Sequence, residues 1–209
     1  ECATAAQIDA PLCALIERVQ TEVDATWPGA TTCCYGSRAT GLASAASDVD
    51  LVVVGVPEMA EGQPSVTAQT EALRRLAPRL EHLPGVNIAV HKSTVPVLRI
   101  EVDEADGADL PAGSPPLHVD ISLQTAGHTG MLAARYVRWL HTVLPALRPL
   151  VLVAKELLRR HGLKSTYTGG ASSYALTIML AHFLFDSPRV HAAQIERQQR
   201  QHSRQRNAP

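Results

Sequence analysis

Two aspartates one residue apart, Asp48 and Asp50, lead into the apolar run Leu51-Val-Val-Val54, and a Gly36-Ser37 pair lies a short loop upstream. On a strand, residues i and i+2 project from one face, so the two carboxylates stand side by side. Held that close, they raise each other's proton affinity unless a cation lies between them. Hard oxygen donors suit Mg²⁺ (or Mn²⁺). Gly36 lets backbone approach a phosphate with no Cβ in the way, Ser37 adds a hydroxyl, and the N–H groups of such a turn cradle anions. Asp120 sits in the alternating run His118-Val-Asp-Ile-Ser-Leu123. If that strand pairs beside the strand of Asp50, three carboxylates converge and can hold two metal ions roughly 3.5–4 Å apart. One ion would lower the pKa of an attacking hydroxyl, and the other would hold a triphosphate and its leaving group. Asp120 is the best candidate for general base.

The elements that must carry these groups are legible as period. Residues 8–26 show a helical stripe through Ile8, Leu12, Leu15, Ile16, Val19 and Val23, closed by Pro28-Gly29. Residues 30–35 are a short β-prone run, and residues 50–55 a buried strand. Residues 66–82 return to helical period through Val66, Leu73, Leu76 and Leu80, with Arg74, Arg75 and Arg79 on the solvent side. Runs 86–91, 95–102 and 117–123 read as strands, with residues 104–116 a solvated loop lengthening a hairpin connection. Helical segments follow at 131–143, 147–161 and 172–185, separated by Pro145, Pro149 and Gly169-Gly170. Residues 187–209 are rich in Gln and Arg, nearly devoid of apolar residues, and read as a polar tail.

Bulk properties restrict the function classes. The 209 residues carry a net charge of −1, 45% hydrophobic and 4% aromatic residues. There is no global charge to attract nucleic acid, so any such binding must rest on local patches. No run approaches the ~18 apolar residues of a membrane span. Cys2, Cys13, Cys33 and Cys34 form no C-x-x-C pair and read as small buried apolar residues in a reducing compartment. The nine histidines show no metal-ligand spacing. The chain opens on Glu1 rather than Met and is read as part of a longer polypeptide.

Taken in order, these motifs resemble the DNA-polymerase-β-like nucleotidyltransferases, and among them the noncanonical poly(A) polymerases of the TRAMP-associated type. Lys92-Ser-Thr-Val-Pro-Val-Leu-Arg99 resembles that family's K-A-T-V-P-[IL]-[IL]-K segment. Leu147-Arg-Pro-Leu-Val-Leu-Val-Ala-Lys155 resembles its L-R-P-L-V-L-V-L-K helix, and Tyr167-Thr-Gly-Gly-Ala-Ser-Ser-Tyr-Ala-Leu176 resembles F-T-G-G-L-G-S-Y-A-L. The resemblance implies an α+β fold: a palm of mixed β-sheet with flanking helices over 30–125, and a helical central domain combining 1–29 with 126–186. That second domain is expected to be incomplete at its C-terminal side, because relatives continue past Phe185 into further helices and a nucleotide-recognition loop.

The resemblance also implies roles. Asp48, Asp50 and Asp120 match the metal-binding and catalytic aspartates, and Gly36 and Ser37 the phosphate-binding turn. Lys155 matches a helix lysine reaching the triphosphate, with Arg159 one turn later on the same face. Ser173 matches a phosphate-contacting serine and Tyr174 the aromatic that stacks on the base. Gln124 stands nearest the family's sugar-contacting Asn. The activity implied is template-independent addition of AMP from ATP to an RNA 3′ end with Mg²⁺, alongside RNA-binding and helicase partners of a surveillance complex. A nuclear or nucleolar address is implied, with the cytoplasm open. Terminal uridylyl transfer, or an inactive fragment that only binds nucleotide or RNA, are the alternatives.

Overall fold

Leu12, Val19 and Val23 recur at helical spacing and are sealed from solvent, which fixes helix α1 (Ala10–Thr26) as an amphipathic element with one buried stripe. The chain then runs through β1 (Thr31–Tyr35), a short helix α2 (Gly36–Thr40), β2 (Val49–Val54), α3 (Val66–Leu80), β3 (Val86–His91), β4 (Val97–Val102), β5 (Leu117–Leu123), α4 (Gly130–Val143), α5 (Leu147–Arg160) and α6 (Ser173–Asp186). This computed structural model describes residues 10–44, 47–60, 64–82, 86–91, 94–102, 117–163 and 170–186. The expectations for residues 104–116 and 187–209, and for Cys2, Ile8, Lys92, Tyr167, Thr168 and Gly169, lie outside the described residues.

The strands form one five-stranded sheet in the order β1-β2-β5-β4-β3. β1 pairs antiparallel with β2, β3 with β4, and β4 with β5, while β2 and β5 run parallel. Alternation then sorts the side chains. Cys34 of β1, Val49, Leu51 and Val53 of β2, Leu98, Ile100 and Val102 of β4, and Val119, Ile121 and Leu123 of β5 share a face and a single core. That face is covered by α1 and α3, whose Val19, Val23, Leu73, Leu76 and Leu80 complete the same cluster. Each such side chain contributes about 1.5–3 kcal/mol through removal from water. Ser65 caps α3, its hydroxyl oxygen accepting from the Ala68 N–H at 3.1 Å.

The chain divides into two compact units, Glu1–Tyr136 and Val137–Pro209, with the boundary inside α4. Residues 1–29 therefore do not group with the helical half as expected. Val19, Val23 and Trp27 belong to the sheet core, and an apolar stripe buried there cannot also serve another domain. In the second unit, α5 and α6 pack together, with Leu147, Val151, Thr177, Ala181 and Leu184 buried. Pro149 does not separate helices. It lies in the first turn of α5, where its missing N–H has no intrahelical partner to lose. Among the described residues, no single helix is long and apolar enough to cross a membrane.

The cysteines depart from a uniform role. Cys33 and Cys34 are neighbours on β1 and so point to opposite faces. Cys33 and Cys34 are both buried, as expected, whereas Cys13 is exposed.

Candidate active site

The register places the predicted residues on the sheet face away from α1 and α3. One row across the strands reads Tyr35, Asp50, Asp120, Arg99: Tyr35 is opposite Asp50, Asp50 opposite Asp120 in the parallel pair, and Asp120 opposite Arg99. The adjoining row holds Asp48, His118 and Glu101. His118 and Glu101 are cross-strand partners, and Asp48 precedes β2 by one residue. The pairing of β2 with β5 on which convergence of Asp50 and Asp120 depended is thus present.

Gly36 packs directly against the Asp50 carboxylate. A Cβ added there would stand 1.9 Å from Oδ2 and 2.7 Å from Cγ of Asp50, and the residue holds φ +67°. Both facts demand glycine: the left-handed backbone is strained for L side chains, and the carboxylate fills the space a side chain would take. The expected Gly-Ser turn is the first turn of α2, with Gly36 and Ser37 its opening residues and Gly41, at φ 73°, its left-handed cap. The Arg38 guanidinium Nη2 donates to the Ser47 carbonyl at 2.9 Å, and Ser47 Oγ accepts from the Ser44 N–H at 2.9 Å. These bonds tie the loop between α2 and Asp48 back onto the helix.

Two of the aspartates have basic partners on β4 and β5. Arg99 donates from Nε to Oδ1 and from Nη2 to Oδ2 of Asp120, both at 2.7 Å. His118 Nδ1 lies 3.7 Å from Asp48 Oδ1, and its Nε2 lies 3.5 Å from Glu101 Oε1. The donor chemistry of Asp50, Asp120 and Asp48 fits a hard divalent ion, and Asp50 and Asp120 are adjacent. The side chains do not form a ready cage, however: among the described residues, no three His, Cys, Asp or Glu groups gather around one point. Arg99 and His118 engage Asp120 and Asp48 instead.

Beneath the aspartates runs a buried polar chain. Ser122 Oγ donates to the Leu51 carbonyl at 3.2 Å, leaving it to accept from Tyr35 Oη at 3.3 Å and from His128 Nε2 at 3.0 Å. That assignment puts the His128 proton on Nε2, and Nδ1 is buried with no hydrogen-bond partner. Burial lowers the pKa of His128 below 6.5, consistent with a neutral ring. The Tyr35 ring meets His128 edge-on at 5.1 Å, and a Cβ on Gly130 would press to 2.6 Å from that ring. Burial, then the charges of Asp50 and Asp120, push the Tyr35 phenol up to about 12, so it stays protonated and able to donate. Burial and Asp50 likewise raise the Cys34 thiol to about 11.

Gln124 follows β5. Its N–H extends the parallel ladder to the Val53 carbonyl at 2.8 Å, while its side-chain amide donates to the Thr125 carbonyl at 2.8 Å and the His128 carbonyl at 3.3 Å. The amide NH₂ expected to reach a sugar therefore holds its own turn together.

Lys155, Arg159, Ser173 and Tyr174 belong to the second unit. Arg159 makes a two-pronged pair with Glu156, Nε to Oε2 and Nη2 to Oε1, both at 2.8 Å, and Arg160 Nε adds a contact of 2.8 Å. Hydrogen bonds from Arg159 and then Arg160 hold the Glu156 carboxyl at about 2. Ser172, not Ser173, caps α6, its Oγ accepting from the Ala175 N–H at 3.1 Å. Ser173 is the first residue of the helix, and Tyr174 is exposed.

Arg99, His118, Tyr35, Ser122, His128 and Arg38 were not singled out from the sequence. A signal existed for two of them: His118 is two residues before Asp120, and Arg99 lies on the strand expected to form a hairpin with it.

Three comparisons bear on this arrangement. The family described as "Poly(A) RNA polymerase, mitochondrial-like, central palm domain" matches residues 9–127. Poly(A) RNA polymerase cid14 of Schizosaccharomyces pombe is 28% identical over 179 residues, covering 84% of this chain and 23% of its own length. The polymerase core of TRAMP, an RNA surveillance complex, superposes with a TM-score of 0.68 at 23% identity over 90% of this chain and 54% of its own. The Cid1 poly(U) polymerase, in a mutant bound to MgATP, does so with a TM-score of 0.65 at 20% identity over 83% of this chain and 49% of its own. At those identities the structures speak for the fold. The chain spans about a quarter of the length of its S. pombe relative and about half of the two solved chains. With a matched segment that takes in α1 and the whole sheet with its paired aspartates, this chain belongs to the mitochondrial-like poly(A) RNA polymerase central palm family, among the noncanonical poly(A) polymerases of the DNA-polymerase-β-like nucleotidyltransferase fold.

Proposed function

We propose that this chain carries the catalytic palm of a template-independent RNA nucleotidyltransferase that adds AMP from ATP to an RNA 3′ end and releases pyrophosphate. The observation that carries the reading is the row of Asp50 beside Asp120 in a parallel strand pair, with Gly36 in contact with the Asp50 carboxylate. Asp48, Asp50 and Asp120 would hold divalent metal, Mg²⁺ or Mn²⁺. When bound, such ions polarise the reacting phosphorus and lower the pKa of the attacking hydroxyl.

The chain's own residues do the rest. Gly36 and Ser37 present backbone and a hydroxyl to the phosphates next to Asp50. Asp120 accepts the proton of the RNA 3′-hydroxyl. On the second unit, Lys155, Arg159 and Ser173 are proposed as triphosphate contacts from the resemblance of their motifs, Arg159 once it leaves Glu156. Tyr174, exposed on α6, offers a ring for the base to stack on. Gln124 contacts the sugar only if its amide leaves the turn carbonyls it now holds.

The names of the relatives support poly(A) addition to RNA, and the TRAMP core is described as part of an RNA surveillance complex; RNA-binding and helicase partners and a nuclear address are carried into this proposal from the family resemblance alone. Terminal uridylyl transfer is a second reading, favoured by the likeness to Cid1. The test is primer extension on an oligo(A) RNA with Mg²⁺ and each nucleoside triphosphate offered separately, in the longest form of the protein. Extension with ATP above the other three supports the proposal. Preference for UTP supports the second reading, and no extension with any nucleotide overturns both.

A further inference from the structure

Arg99 and Asp120 face each other across the β4–β5 ladder, and both carboxylate oxygens of Asp120 accept from the one guanidinium at 2.7 Å. The pair is neither a loose surface contact nor a sealed one: the side chains are 36% and 16% exposed. A planar fork of this kind fixes the carboxylate in direction as well as charge, which a lysine, a point charge on a flexible stem, would not do. The corresponding position of the motif that Lys92–Arg99 resembles carries Lys.

The consequence concerns Asp120 as a ligand and as a base. Asp50, its neighbour in the parallel pair, brings a second negative charge alongside. Asp120 stands between a like charge on β2 and the guanidinium on β4, and Arg99 offsets that repulsion. Arg99 takes a lone pair on each Asp120 oxygen, so an ion or a hydroxyl proton must compete with the guanidinium for that carboxylate. Metal and guanidinium cannot both hold the same two oxygens in the same way.

We propose that Arg99 is a built-in counter-cation for Asp120: it balances the carboxylate charge that a divalent ion would balance, and such an ion binds by displacing it from at least one carboxylate oxygen. Arg99 is a positioning residue in this account, acting through Asp120. The inference rests on the reading of Asp50 and Asp120 as metal ligands, and it predicts that Arg99 weakens ion binding where a residue that merely oriented Asp120 would strengthen it.

The sign decides. Mn²⁺ is titrated into the full chain without nucleotide and the free ion is followed by its electron paramagnetic resonance signal. Arg99→Met is expected to bind Mn²⁺ roughly tenfold more tightly than the unsubstituted chain, the scale of releasing one charge-assisted pair. Arg99→Lys should fall between the two, and it serves alone should Arg99→Met fail to fold. Thermal unfolding gives a second readout, with Mn²⁺ raising the melting temperature more in either variant than in the unsubstituted chain. Equal or weaker Mn²⁺ binding in both variants overturns the inference and leaves the metal-site reading standing. Failure of all three chains to bind Mn²⁺, or binding that survives Asp50→Asn, overturns the metal-site reading and the inference together.

Discussion

On β2, Val49, Leu51 and Val53 are fully sealed, whereas Asp48 and Asp50, one residue out of phase with them, stay partly exposed on the opposite face. The same split recurs on β5, where Val119, Ile121 and Leu123 are buried in the core and His118 and Asp120 look the other way. One face is apolar, continuous and covered by α1 and α3. The other carries Asp48, Asp50, His118, Asp120 and Arg99, with Arg99 paired to Asp120 and His118 beside Asp48. The difference teaches that stability and chemistry are separated by a single residue of phase, so a one-residue slip of β2 against β5 would bury the aspartates and expose the core.

Substitutions at consecutive positions can break that comparison. The largest expected effect is Asp50→Ala: incorporation in primer extension should fall by roughly 10³-fold or more, as for loss of several kcal/mol of charge stabilisation in the transition state. Its urea midpoint should stay within about 1 kcal/mol of the parent, because no core contact is lost. Leu51→Ala, the next residue, should behave inversely. A loss of about 2–5 kcal/mol in urea unfolding is expected from the cavity it leaves. If Asp50→Ala unfolds the chain, or Leu51→Ala leaves it as stable as before, the two faces are not separable in this way.

Gly36→Ala probes the border between them. Its φ of +67° and the 1.9 Å approach to Asp50 Oδ2 force the carboxylate aside. Incorporation should drop about 10²-fold, the cost of displacing a reacting group by an ångström, with about 1–2 kcal/mol lost from stability through backbone strain. Steady-state kinetics beside urea unfolding would show both. The smallest effect concerns His128. Burial lowers its pKa from 6.5, so the folded chain binds this proton less readily than the unfolded one. The stability tied to the neutral ring is present above pH 6.5 and is lost as pH falls below it. Urea midpoints between pH 7.5 and 5.5 should therefore decline, less steeply in His128→Asn. His141, also lowered by burial, leaves a residual slope in the same direction.

Much of this was legible in the sequence because period is a local property. The stripes of α1 and α3, the alternation of β5 and the D-x-D phase of β2 are written in consecutive residues, and the sheet follows the expected strands. What was not legible depends on partners far apart in the chain. Arg99 meets Asp120 and His118 meets Asp48 only after register is set, and register is a tertiary fact. The assignment of α1 failed for the same reason: an amphipathic stripe says that a helix is buried, not against what. Gln124 was read by residue type, but the carbonyls that hold its amide belong to a turn whose geometry residue type does not reveal. The cysteines were averaged into one role although adjacent strand residues face opposite ways.

The strand order also dictates a schedule during synthesis. β1 with β2 and β3 with β4 can each pair as they leave the ribosome, but β5, made last of the five, takes the central place between β2 and β4. Until it arrives, two half-sheets present open edges to any other strand nearby. Asp50 waits without Asp120, and the nascent chain has no paired carboxylates with which to bind an ion or a nucleotide. Closure of the sheet and completion of the aspartate row are one event, delayed by the long-range contact it requires. A chain lacking residues from 117 onward would therefore keep two open strand edges and only part of the aspartate row.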